Sequence, residues 1–158
     1  MAEREGGQPP HPCYSLAVRQ AGRWITQLYD QHLADVGLSS SQYGVLSHLD
    51  RLGSVGVAVL AQAMVVDRTT LTRNLAPLER AGLVEIVPGE DDRRRRDLRL
   101  TSAGSDKLRA ARPHWRRAQA AFEKHFGTED AAALRSLLHA VPDGRGRGKR
   151  APAVPAPG

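Results

Sequence analysis

Thr69, Thr70, Thr72 and Arg73, with Arg68 just ahead of them, crowd hydroxyls and guanidinium groups into one short run. A guanidinium fork donates two parallel hydrogen bonds to a guanine edge, and a threonine can bond a base or phosphate or meet a thymine methyl. At helical spacing Thr69, Arg73, Ala76 and Arg80 share one line, with Thr70 and Thr72 beside it. A second run, Pro88-Gly89-Glu90-Asp91-Asp92-Arg93-Arg94-Arg95-Arg96-Asp97, sets four consecutive arginines among acids. An arginine carried on a hairpin can enter a minor groove, where narrow tracts concentrate negative potential. Successive side chains of an extended chain alternate sides, so not all four can do this. Asp92 is placed to hold Arg94, which leaves Arg93 and Arg95 for phosphates or open surface. Either run alone reads as solvated surface; their order along the chain reverses that judgement.

The elements that must position them are legible. Leu71, Leu75 and Leu78 occupy the opposite face at i, i+4 and i+7, and Asp67 is placed to cap their helix. That apolar face needs a partner, which the preceding short helix Val57–Met64 supplies through Leu60, Ala61 and Met64. Val65 stands in the connecting turn, where glycine is common in simple motifs of this kind, so the turn is expected to be looser than usual. Pro77 predicts a local bend or a lost hydrogen bond, and Ala81-Gly82 a stop. Leu83–Val87 and Leu98–Thr101 then read as the two strands of a hairpin. Short helix, turn, capped helix and basic hairpin together predict a winged helix-turn-helix core over about residues 38–101.

Helices flank this core. One is expected from about Pro12 to Asp35, with Ala17, Ala21, Trp24 and Leu28 on one stripe, widened by Ile25 and Tyr29, and a stop at Gly37. The next starts from a capping box, Ser39 with Gln42, and shows Val45, Leu46, Leu49 and Leu52 on its apolar face. Gly53-Ser54 ends it, and Val55-Gly56-Val57 reads as a very short strand. After the hairpin a long helix runs from Ser102 to about His125 through Pro113, followed by one capped by Thr128 that carries Ala133, Leu134, Leu137 and Leu138. The fold class is therefore mainly α with a small β-hairpin wing. Its winged helix-turn-helix core is flanked by dimerisation helices over about 12–36 and 102–141. Terminal helices too apolar to stand alone suggest two chains joined as a symmetric dimer. Residues 12–141 are expected to form one domain, 1–11 a disordered lead and 142–158 a flexible basic tail.

Composition agrees with a polyanionic partner. The chain of 158 residues has a formal charge of +6, but Arg145, Arg147, Lys149 and Arg150 against Asp143 supply three of those charges. The binding surface must therefore be local. One cysteine, Cys13, excludes an internal disulfide, and no His/Cys cluster has zinc spacing. No apolar run approaches the ~20 residues of a membrane helix, and the polar N-terminus lacks a signal peptide's apolar stretch, so a cytoplasmic protein without a membrane partner is expected. Scattered histidines, no nucleophile in a triad pattern and no phosphate-binding glycine loop argue against an enzyme or a cofactor. The rival reading is an architectural protein that coats phosphates without reading sequence.

The run from Asp67 to Val84, followed by Asp92-Arg93-Arg94 and Leu100-Thr101-Ser102-Ala103-Gly104, resembles the MarR family of bacterial transcriptional regulators. The similarity extends from about Cys13 to Leu138, and the joint motif is more specific than either piece. The resemblance implies a homodimer with interleaved first, fifth and sixth helices, bound to a pseudopalindromic operator in duplex DNA. It carries the recognition contacts to Thr69, Thr70, Thr72 and Arg73, with Arg68 a weaker member, and the wing contacts to Asp92 and Arg94. It also implies repression relieved by a small aromatic acid near the junction of dimer region and reader, for which Arg23, Trp24, Tyr43 and His48 are the candidates. Peroxide-sensing relatives use a cysteine near the start of the first helix, activated by tyrosines, which makes Cys13, with Tyr14 adjacent and Tyr29 the remaining tyrosine of that helix, an alternative switch.

Overall fold

A computed structural model describes residues 12–89 and 94–141. The expectations for 1–11, 142–158 and Asp92 lie outside the described residues. The helices are α1 (Tyr14–Leu33), α2 (Ser40–Leu52), α3 (Val57–Met64), α4 (Arg68–Arg80), α5 (Ser102–Phe126) and α6 (Thr128–Ala140), with a 3-10 turn at Ala34–Val36. The strands are β1 (Val55–Gly56), β2 (Val84–Pro88) and β3 (Arg96–Leu100), all antiparallel in the order β1-β3-β2. The mainly helical fold with a small sheet agrees with the class expected. The chain forms two compact units that divide after Ala118, inside α5.

In the first unit the core is built almost wholly of aliphatic residues. Leu71, Leu75 and Leu78 of α4 are buried with Leu60 and Ala61 of α3, and Met64 packs against them, as the spacing predicted. Val45, Leu46 and Leu49 of α2 join this cluster, as do Val84 and Leu98 of the sheet, while Leu52 stays partly exposed. The Ser39–Gln42 capping box is formed in both directions, at 2.9 and 3.2 Å. The first eleven residues of α1 tell a different story: Ala17 and Ala21 of the expected stripe are exposed, and Leu16, Val18 and Trp24 present apolar surface to solvent.

Both turns around α4 close by the same device. Gly82, at φ 67°, donates to the Glu79 carbonyl and Leu83 donates to the Leu78 carbonyl, each at 2.9 Å. These two reversed bonds satisfy carbonyls that the helix end would otherwise leave bare. At the end of α3 the equivalent bonds run from Val65 to Gln62 and from Val66 to Ala61, at 3.1 and 3.0 Å. Here the left-handed position is Val65, at φ 54° and ψ 47°. The turn is thus tight despite lacking glycine, contrary to the expectation, because the two bonds and the buried flanking helices hold a β-branched residue where it is sterically disfavoured.

In the second unit, Phe122 and Phe126 stack with centroids 5.5 Å apart. The residue at the start of α6 corrects the expected cap: Thr128 is the first helical residue, and Gly127 precedes it at φ 97° and ψ 136° without a side-chain cap. The chain reverses at the residue that tolerates such a φ, so the helix begins one position earlier than a threonine cap requires. Glu129 and Asp130 do lie in its first turn. Leu137, Leu138 and Val141 are exposed.

Candidate nucleic-acid interface

The start of α4 is organised by Asp67. Its carboxylate accepts the Thr70 backbone N–H at 2.8 Å and the Thr70 hydroxyl proton at 2.7 Å. The backbone bond from Thr70, then its hydroxyl bond, holds the Asp67 carboxyl below its ordinary value of 3.8. The helix therefore begins with an ionised cap that satisfies its first free donors.

This arrangement divides the threonines. Thr70 spends its hydroxyl proton on Asp67, and Thr72 spends its own on the Arg68 carbonyl at 2.8 Å. Both can still meet a partner through a methyl or an oxygen lone pair, but not as free donors. Thr69 is exposed and makes no side-chain hydrogen bond among the described residues. Arg68 and Arg73 are also exposed, and neither is held in an ion pair there. The structure thus brings Arg68, Thr69, Thr70, Thr72 and Arg73 to the solvent side of one capped helix, opposite the buried leucines.

The hairpin is paired from Val84 with Leu100 to Pro88 with Arg96, and the Gly89 N–H closes the ladder at its loop end on the Arg95 carbonyl at 2.8 Å. Arg94 is exposed just beyond this closure. Arg95 departs from the sequence reading, which left it for phosphate or surface. It forms a two-pronged ion pair with the buried Asp97, at 2.9 and 3.1 Å. The signal was present, because residues two apart on a strand share a side. Four arginines among four acids left the pairing undetermined.

A second feature that sequence reasoning passed over joins hairpin, α4 and α5. The Thr101 hydroxyl donates to the Gly82 carbonyl at 2.7 Å and accepts the Gly104 N–H at 3.0 Å, while the Thr101 N–H donates to the Leu83 carbonyl at 3.2 Å. A Cβ on Gly104 would collide with that same Leu83 carbonyl oxygen. This is the physical content of the Leu100-Thr101-Ser102-Ala103-Gly104 motif.

The proposed effector residues do not gather around one cavity. Trp24 lines a recess of about 100 Å³ with Gln27, Leu28 and Gln31, all from α1. That volume falls short of the ~300 Å³ at which small-molecule pockets begin. Arg23 is exposed on the same helix. Tyr43 instead stacks on Trp115, with centroids 6.0 Å apart, and burial raises its hydroxyl above the ordinary value of 10.0 against the opposing charges of Arg112 and Arg116. His48 bonds the Gly44 carbonyl through Nδ1 at 2.8 Å. Cys13 is an exposed cysteine outside any disulfide at the start of α1, and the adjacent Tyr14 is 89% exposed. Among the described residues no helix is long and apolar enough to cross a membrane, and no cluster of His, Cys, Asp and Glu could hold a metal ion.

Comparison with known proteins places this geometry. Residues 36–95 match a model of the MarR family. The transcriptional activatory protein BadR of Rhodopseudomonas palustris is 38% identical over 71 residues, a stretch covering 43% of this chain and 41% of that protein. The HTH-type transcriptional repressor NicR of Pseudomonas putida is 31% identical over 96 residues, covering 61% of each. Among solved structures, the transcriptional regulator MOSR of M. tuberculosis in complex with DNA is 34% identical, with a TM-score of 0.65 over 82% of this chain and 98% of that one.

Proposed function

This chain belongs to the MarR family of transcriptional regulators and is a DNA-binding protein rather than an enzyme, and on that premise we propose that it is a homodimeric repressor of a pseudopalindromic operator, released by a small aromatic acid. The observation that carries the DNA-reading part is the outer face of α4. There Thr69 and Arg73 stand exposed with unspent donors on a helix whose register is fixed by the Asp67 cap and the leucine face. An arginine and a threonine in that condition can be given to base edges without breaking any bond of the free protein. Arg94, in the hairpin loop just beyond the Gly89–Arg95 bond, supplies the minor-groove contact, with Asp92 as its expected partner.

Dimerisation is supported by apolar surface that a single copy leaves bare. In the first unit this is Tyr14, Leu16, Val18 and Trp24; in the second it is Phe126, Leu137, Leu138 and Val141. Two reading helices related by a two-fold axis meet half-sites about 34 Å apart. The recess at Trp24 is too small for an aromatic acid within one chain, so the effector site is completed by the second copy or by movement on binding.

Arg73→Ala tests the reading role. A footprint on the DNA upstream of the protein's own gene supplies the operator, and affinity is then measured on that duplex and on a random one at fixed salt. Loss of a reading contact should weaken operator binding by about 1–3 kcal/mol and leave the random duplex nearly unchanged. Equal weakening on both duplexes would reduce Arg73 to a phosphate contact and favour an architectural binder.

A further inference from the structure

Asp97 is a carboxylate side chain buried near the loop end of the hairpin's ladder, where β1 also pairs with β3. Its side chain is 2% exposed, on a residue of β3 that faces Gly56 of β1 and Val87 of β2. Burying a carboxylate is costly unless a cation and hydrogen bonds compensate it. Arg95 supplies both, through Nε on Oδ1 and a terminal nitrogen on Oδ2, the fork geometry that suits a carboxylate best. The arginine lies over β1: a Cβ on Gly56 would stand 3.9 Å from Arg95 Cδ and 3.5 Å from Asp97 Oδ1. Its guanidinium therefore folds back along the sheet, toward the strand from which α3 begins.

From this geometry we infer that Asp97 is a positioning residue for DNA binding, one that withholds Arg95 from the duplex and seats the hairpin on β1; the assignment rests on the hairpin serving as a wing. Each added phosphate contact strengthens binding to every sequence alike. A run of four arginines, 93–96, would on that account grip any duplex. Holding one guanidinium on a buried carboxylate limits this sequence-blind component and leaves more of the total affinity to the reading helix. The same ion pair ties the hairpin to the beginning of α3, so the angle between wing and reader is set before DNA arrives.

The test uses the full chain, with affinity measured against salt concentration on operator and random duplexes. The proteins are wild type, Asp97→Asn, Arg95→Ala, their double variant, and Arg94→Ala. Asp97→Asn should release Arg95, steepen the salt dependence by about 0.9 per subunit, and narrow the ratio of operator to random binding. Arg95→Ala should leave the slope unchanged, and the double variant should return to the wild-type slope. A residue that merely supports the fold would lower affinity without steepening the slope. An unchanged or shallower slope in Asp97→Asn overturns the assignment, as does a shallower slope in Arg95→Ala, which would mean that Arg95 already touches DNA. Should Arg95→Ala fail to fold by stranding Asp97, comparing Asp97→Asn with the double variant still decides, since the double variant removes both charges. Arg94→Ala reports separately on the wing: a slope equal to wild type there counts against the wing itself, not against the Asp97–Arg95 relation.

Discussion

Gly104→Ala adds one methyl group at the junction of the hairpin and α5, and the surroundings set its cost. The new Cβ would collide with the Leu83 carbonyl oxygen and stand 3.0 Å from the Leu83 carbonyl carbon and 3.1 Å from Leu100 Cδ2. The carbonyl belongs to the backbone and accepts the Thr101 N–H, so it cannot swing aside as a side chain would. Overpacking of this kind costs about 1–3 kcal/mol. If the backbone yields instead, the Thr101 bonds to Leu83 and Gly104 open, at about 1 kcal/mol each. Alanine returns about 0.8–1.0 kcal/mol through its better helix propensity. The net loss is about 1–2 kcal/mol, a fall in Tm of about 2–8 °C for a chain of this size. Gly44→Ala is the control, because its Cβ would meet only Met64 Cε at 3.7 Å, an ordinary contact. It gains the same propensity without the collision and should raise stability by up to about 1 kcal/mol. Thermal melts followed by circular dichroism, at equal protein concentration, compare the two. Gly104→Ala melting with the wild type, or both variants shifting in the same direction, would refute the close-approach reasoning.

Two further outcomes are expected. Val65→Asn should stabilise by about 0.5–1 kcal/mol, since a left-handed conformation costs a β-branched residue about 1–2 kcal/mol and suits asparagine better; Val65 is 71% exposed, so little burial is lost. A lower urea midpoint for that variant would show that Val65 is not strained. For Asp67 the sign follows from its lowered folded-state pKa: its contribution is fully present above the unfolded value of 3.8 and is lost as pH falls through the folded value. Denaturation across pH should therefore find Asp67→Ala less stable than wild type by a constant amount at neutral pH, with the gap closing in acid. A gap that widens on acidification would contradict the cap.

Periodicity and capping chemistry carry most of the architecture, since they are local properties that a chain displays before it folds. Leu71, Leu75 and Leu78 announce their face through spacing, Asp67 and Ser39 announce helix starts through side-chain oxygens, and Gly82 announces a stop through the φ it allows. The reading face of α4 follows by subtraction, as the side opposite the leucines. What the sequence could not settle is which polar groups remain unspent. That Thr70 gives its proton to Asp67, or that Arg95 is held by Asp97, depends on distances between competing partners, and four like side chains in a row offer no local preference. Asp97 carries the point furthest. As a letter in a charged run it reads as solvated, yet antiparallel pairing of β3 with both neighbouring strands removes it from water and makes one guanidinium its obligatory partner. Val65 shows the converse: the sequence argued for a loose turn, and tertiary packing of α3 against α4 closed it anyway, because the buried leucine contacts outweigh the local cost of one disfavoured backbone conformation.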